Sequence, residues 1–196
     1  MSALAYDDTD PGPPRTDLTW DEFLALPFET RNASLIDGEV VVSSPNSRHE
    51  WIVANLILLF RLWVREAPGR GTISTQQPVK VTDRRGYLPD FAWHPPERCR
   101  MEHGLPAVTG LPGLIVEVLS PSTRTFDLVR KRCDYEQLGV GEVWFLEQDA
   151  AALGVVVCQR VDGGGFVDRE LRPGDTLTSP LLDGFTVDVA ELYRPD

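Results

Sequence analysis

Residues 114–119 read Leu114-Ile115-Val116-Glu117-Val118-Leu119, an unbroken apolar run with a single carboxylate in it. A run without polar alternation fits a central strand covered on both faces. Ser120-Pro121-Ser122 ends it, and from Arg124 to Leu138 the pattern turns helical, closed by Gly139 where helices favour a left-handed residue. Glu142 to Glu147 is strand-like again. This strand–helix–strand unit predicts an α/β fold, a mixed β-sheet flanked by α-helices.

Upstream, Ile73 to Val81 and Tyr87 to Trp93 are expected strands joined by residues 82–86, and the Pro- and Gly-rich stretch from Pro95 to Pro112 is expected to be a long loop. The apolar run from Trp51 to Val64 predicts a helix buried on most sides, with Ser47 and Glu50 at capping-box spacing ahead of it and His49 in its first turn. Asp37-Gly38 is a turn dipeptide leading into the strand Glu39-Val40-Val41-Val42. Leu18 to Leu26 predicts a short helix capped by Thr19 and Glu22 and stopped by Pro27. Downstream, Gly163-Gly164-Gly165 marks a hairpin, and a strand or short helix runs on to Tyr193.

Residues 1–15 are acidic and Pro-rich and read as a disordered tail; residues 16–196 fit a single domain. Hydrophobic residues make up 42% and charged residues 25%, the composition of an ordinary globular chain. Cys99, Cys133 and Cys158 form no CxxC pair, which argues for a reducing, cytoplasmic setting. No apolar segment reaches the roughly 20 residues of a membrane span. The formal net charge of −11 opposes non-specific binding to phosphate backbones, so any nucleic-acid site must rest on its local field.

Glu117 is the sharpest chemical signal. A carboxylate inside a doubly covered strand is costly unless it is ion-paired, hydrogen-bonded or bound to a metal. Asp90 follows Pro89 at the entrance to Phe91-Ala92-Trp93, a position that serves a turn as readily as a ligand site. Of the 19 basic residues only Lys80 and Lys131 are lysines, in a chain that otherwise uses arginine. Lysine is a compact point charge that arginine does not replace. Asp127, Lys131 and Tyr135 recur at i, i+4, i+8 and share one helix face, directed at the end of the Glu117 strand or at solvent. His49 at a helix start is either a cap or a neutral ligand. His94, Cys99 and His103 cluster without a fourth ligand at zinc spacing.

Five ordered blocks resemble the bacterial Uma-type restriction endonucleases of the PD-(D/E)XK superfamily: LTWDEFLALP (18–27), LIDGEVVVSSPNSRHE (35–50), YLPDFAW (87–93), 114–147, and SPLLDGFTVDVAELY (179–193). The resemblance implies a restriction-endonuclease-like core with Glu39, Asp90 and Glu117 as the acidic, metal-holding positions. The superfamily's lysine, two residues after the glutamate, is Leu119 here, and Lys131 on the following helix stands in for it, with Lys80 the alternative. His49 and Tyr135 would support the site.

The resemblance further implies a Mg²⁺- or Mn²⁺-dependent endonuclease acting on double-stranded DNA, and a homodimer. Mg²⁺ binds through one or two carboxylates, keeps several waters, and polarises a phosphodiester. Arg124, Arg130 and Arg132, with Arg84 and Arg85, are candidate phosphate contacts. The competing expectation is a non-catalytic nucleic-acid-binding or regulatory module that keeps the fold.

Overall fold

Six strands form the main sheet of the computed structural model, which describes residues 17–27, 33–103 and 105–195. The tail expected over residues 1–15 lies outside the described residues. In chain order the elements are α1 (Trp20–Leu24), β1 (Ala33–Ile36), β2 (Glu39–Val42), α2 (Ser47–Glu66), β3 (Thr72–Ser74), β4 (Val79–Thr82), β5 (Arg85–Tyr87) and β6 (Phe91–His94). A 3₁₀ turn (Pro96–Arg98), β7 (Cys99–Glu102), β8 (Leu105–Val108) and β9 (Leu114–Leu119) follow. One helical run then comprises α3 (Arg124–Phe126), a π turn (Asp127–Lys131) and α4 (Arg132–Leu138). After it come β10 (Glu142–Glu147), β11 (Gly154–Arg160), β12 (Phe166–Leu171), β13 (Thr176–Thr178), β14 (Thr186–Asp188) and a 3₁₀ segment (Val189–Tyr193).

The main sheet runs β12-β11-β10-β9-β6-β3. β9 and β10 pair in parallel and every other neighbouring pair is antiparallel. A parallel pair needs a crossover, and the helical run after β9 supplies it. All six residues of β9 are buried, as the unbroken apolar run predicts. Leu114, Val116 and Val118 face a core shared with α2, while Ile115 and Leu119 face a second core shared with the helical run. Glu117 therefore projects to the second side, between two core residues.

Phe60 pins α2 to the first face, its ring centroid 4.7 Å from Phe91, 5.8 Å from Trp144 and 4.7 Å from Phe185. On the second face lies a four-stranded sheet, β2-β1-β5-β4, whose Val79 and Tyr87 join Tyr135 and Phe145 in one core. The Asp37-Gly38 turn closes β1–β2 with φ of 51° and 90°, the left-handed pair a two-residue hairpin turn requires. Gly86 sits under the Trp20 ring, where a Cβ would collide with indole carbons, so glycine lets α1 close over this sheet.

Several expectations are corrected. The strand expected over 73–81 is two strands in different sheets, β3 and β4, parted at Pro78; likewise 87–93 divides at Leu88-Pro89-Asp90. Proline cannot donate to a ladder and marks each exit. Residues 95–112 hold a 3₁₀ turn and the β7–β8 hairpin rather than loop alone. The cap of α2 is Asn46, whose side chain accepts the His49 amide, not Ser47. Thr19 and Glu22 do form the capping box of α1, and Gly139 takes the left-handed cap of α4 at φ 87°.

Candidate active site

The turn Leu88-Pro89-Asp90 carries the chain from the small sheet to the main one and leaves Asp90 beside the middle of β9. Asp90 Oδ2 accepts the Val118 amide at 2.7 Å, and Oδ1 lies 3.1 Å from His49 Nε2. Three elements thus converge: the turn before β6, central β9 and the first turn of α2. The Asn46 cap fixes that first turn and so aims His49 inward.

Glu117, on the opposite face of β9 from Val118, meets the helical run. Its Oε1 accepts the Tyr135 hydroxyl at 2.6 Å and its Oε2 lies 3.0 Å from Lys131 Nζ. Lys131 Nζ also stands 3.0 Å from Asp127 Oδ1 and 5.5 Å from the Tyr87 ring centre. The face shared by Asp127, Lys131 and Tyr135 looks onto β9, one of the two alternatives left open by the spacing. The π turn widens the helix here, so an acid, an amine and a phenol reach the same strand.

These groups border a cleft of about 670 Å³ whose lining includes His49, Glu50, Asp90, Glu117, Asp127 and Lys131. Lys131 is the only lysine or arginine among its lining residues. Burial pushes the Glu117 carboxyl up to about 7, with the Lys131 ammonium pulling it back and the Asp90 and Asp127 charges pushing the same way as burial. Lys131 stays above its ordinary range: desolvation opposes its charge, but the carboxylates of Glu117, Asp127 and Asp90 outweigh that. It is a permanent cation here, not a base. Burial also works against a charged His49, yet its bond to Asp90 and the charges of Glu50 and Glu117 raise it overall.

Other candidates fall elsewhere. Glu39 is exposed beside the hairpin turn; β2 sends Val41 and Val42 to the cleft but not Glu39. Lys80 is half exposed and paired with Asp83 at 2.7 Å, on a strand that joins β5 and not β6. Leu119, two residues after Glu117, is 1% exposed within the Tyr135 core, and the ammonium beside Glu117 comes instead from Lys131 on the facing helical run.

Arg124 pairs with Glu147 at 2.6 Å next to the cleft residue Thr123. Arg130 pairs with Asp37 and Asp134, Arg132 with Asp168 at 2.8 Å, and neither lines the cleft. Arg84 reaches Asp17, and Arg85 reaches Asp37 and Asp134. His94 is fully buried against the Ser74 hydroxyl and is pushed down to about 4 by burial, while the Cys99 thiol donates to the carbonyls of His94 and Pro95. The residues missed by composition and spacing are Asp134, held by Tyr87 at 2.5 Å under the site, and Gln148 at the cleft wall. Nothing in their local sequence marks them.

A divalent cation here would draw on few protein donors. Among the described residues no three His, Cys, Asp or Glu side chains form a group that could hold a metal. The donor set is the pair Asp90 and Glu117, each oxygen of which makes one contact. A carboxylate offers about four lone-pair sites, so both retain acceptor capacity. Two carboxylates fit Mg²⁺ or Mn²⁺, which keep several waters, and do not fit a closed zinc or calcium cage.

A family model described as "Uma2: Putative restriction endonuclease" matches residues 20–190. A crystal structure from Anabaena variabilis ATCC 29413, described as a putative nuclease belonging to DUF820, superposes with a TM-score of 0.70 at 20% identity. The match covers 90% of this chain and 97% of that one, so the two share a fold. Among curated proteins none matches significantly. No helix among the described residues is long and apolar enough to cross a membrane.

Proposed function

The chain belongs to the Uma2 restriction endonuclease family, and from that premise we propose that it hydrolyses DNA phosphodiester bonds with Mg²⁺ or Mn²⁺ held by Asp90 and Glu117. The observation that carries this reading is the convergence of Asp90, Glu117 and Lys131 in one cleft, two carboxylates and one permanent cation. Bound there, the cation would polarise the phosphodiester and lower the pKa of a coordinated water.

The protein's own groups divide the remaining work. Lys131, clamped between Glu117 and Asp127, offers a fixed positive charge to the anionic transition state and a donor to orient the attacking water. Tyr135 holds Glu117 Oε1 and disperses its charge, while the Val118 amide and His49 fix the Asp90 carboxylate in rotation. Arg124, half exposed at the cleft mouth, is the arginine best located for a flanking phosphate. No side chain of the cleft is a serine or cysteine backed by a base, so direct attack by water is the favoured route over a covalent intermediate.

A second reading, a nucleic-acid-binding module without turnover, is favoured by the net charge of −11 and by the many arginines already committed to carboxylates. Purified protein incubated with plasmid and linear DNA in Mg²⁺, Mn²⁺ or EDTA separates the two. Metal-dependent cutting lost in Glu117→Gln supports cleavage. Metal and DNA binding without cutting supports the second reading, and absence of metal binding by calorimetry sinks the first.

A further inference from the structure

β10 ends at Glu147, level with Leu119 in the parallel pair, so Gln148 leaves the sheet beside Ser120. Asp90 enters the cleft from the other flank of β9, just ahead of β6. β6 and β10 lie two strand spacings apart, roughly 10 Å, about the reach of a nucleotide from its phosphate to the far edge of its base. Gln148 is 5% exposed and lines the cleft, yet its Oε1 is buried with no partner among the described residues. A buried carbonyl oxygen left unpaired is costly, and one kept at a cleft wall calls for a donor on a ligand.

The chemistry of the cleft narrows that ligand. Glu50, Asp90, Glu117 and Asp127 line it and accept hydrogen bonds when ionised. A DNA backbone cannot answer Gln148, because its phosphate and sugar oxygens are acceptors too; every N–H of DNA belongs to a base. Val53 and Ile57 of α2 give the same cleft an apolar wall against which the plane of a base can lie.

We propose that Gln148 reads the base of a nucleotide seated in the cleft, its carboxamide pairing with an amine beside a ring nitrogen, the edge that adenine and cytosine present. Oε1 accepts one N–H of the amine, Nε2 donates to the ring nitrogen, and the second amine N–H suits a cleft lined by carboxylates. Thymine carries its N–H between two carbonyl oxygens, which those carboxylates repel. The pairing edge is occupied in a duplex, so the base must be unpaired or turned out of the stack. This deepens the cleavage reading and rests on it for DNA being the substrate.

Mononucleotides contain no internucleotide bond, so their binding is read without turnover. Calorimetric titration of the wild-type chain in Mg²⁺ should show deoxyadenosine or deoxycytidine monophosphate bound at least about fivefold more tightly than thymidine monophosphate, and the tighter of the two names the base. Gln148→Met removes the carboxamide at similar volume. It should erase the preference while leaving the melting temperature unchanged or higher, since the free protein loses an unpaired buried group. A purely structural Gln148 would instead lower the melting temperature and leave the preference intact. Equal affinity for the three nucleotides, no binding of any, or a preference that survives Gln148→Met overturns the proposal. DNA cutting without the preference overturns it and leaves cleavage standing; the preference without cutting of any DNA does the reverse.

Discussion

The Asp90 carboxylate accepts the Val118 amide at 2.7 Å, so the residue that would hold a metal also ties the entrance of β6 to the strand carrying Glu117. The two roles separate by substitution. Asp90→Asn keeps an acceptor for Val118 and should cost less than about 1 kcal/mol of stability; Asp90→Ala leaves that amide unpaired and should cost about 1–3 kcal/mol. Both should weaken Mg²⁺ binding at least about tenfold. Chemical denaturation and calorimetry measure the two effects independently, and an Asp90→Asn variant that binds Mg²⁺ normally would remove Asp90 from the ligand set.

Lys131 and Lys80 make opposite predictions. Lys131→Met should lower cleavage about 10²–10³-fold, the usual effect of losing one preorganised transition-state contact. Lys80→Met should leave cleavage within about twofold, since Lys80 sits outside the cleft on an exposed pair with Asp83. Equal losses in the two variants would count against the assignment of the ammonium to the helix.

Glu117 and His49 set a pH dependence of stability. Glu117 is pushed up to about 7 from 4.5 by burial, so its contribution is most favourable below pH 4.5 and is lost as pH rises through 7. His49 is raised above 6.5 by Asp90, and the stability it confers is lost as pH rises through that folded value. Both act in one direction. The melting temperature of metal-free protein should fall by a few degrees from pH 6 to pH 8, and Mg²⁺ should recover more at pH 8, where the carboxylate is ionised. Glu117→Gln should flatten the metal-free profile; a profile unchanged by it would refute the cause.

Tyr135→Phe removes the hydrogen bond that lowers Glu117, leaving burial and neighbouring charges to raise it further. The acid limb of the pH–rate profile should move upward by about half a unit or more, with the plateau at high pH retained within severalfold. A uniform loss at every pH would instead mark Tyr135 as acting on the reacting groups directly.

How much of this was legible in the chain differs by residue. Glu117 stood out because period-two and all-apolar patterns leave no inexpensive place for a carboxylate in a covered strand, and β9 is buried along its whole length. Lys131 and Tyr135 were legible as one helix face, although the strand they face could be known only from tertiary packing. The division of residues 73–94 between two sheets was not legible, because β3 and β4 have similar composition and only Pro78 and Pro89 hint at the exits. Asn46 and Ser47 are equally good caps, so local chemistry could not choose between them. Glu39 looked like a ligand through family likeness, but the hairpin turns it to solvent.

The π turn over Asp127–Lys131 makes chain length itself part of the site. A π turn takes up one residue more than an α turn, so deleting one residue there would let the helix regularise with Tyr135 still over Glu117, at the cost of the residue that brings Lys131 to the strand. Beyond the turn no such slack exists: a one-residue insertion or deletion between Arg132 and Tyr135 should swing Tyr135 about 100° away from Glu117 and be as damaging as replacing it.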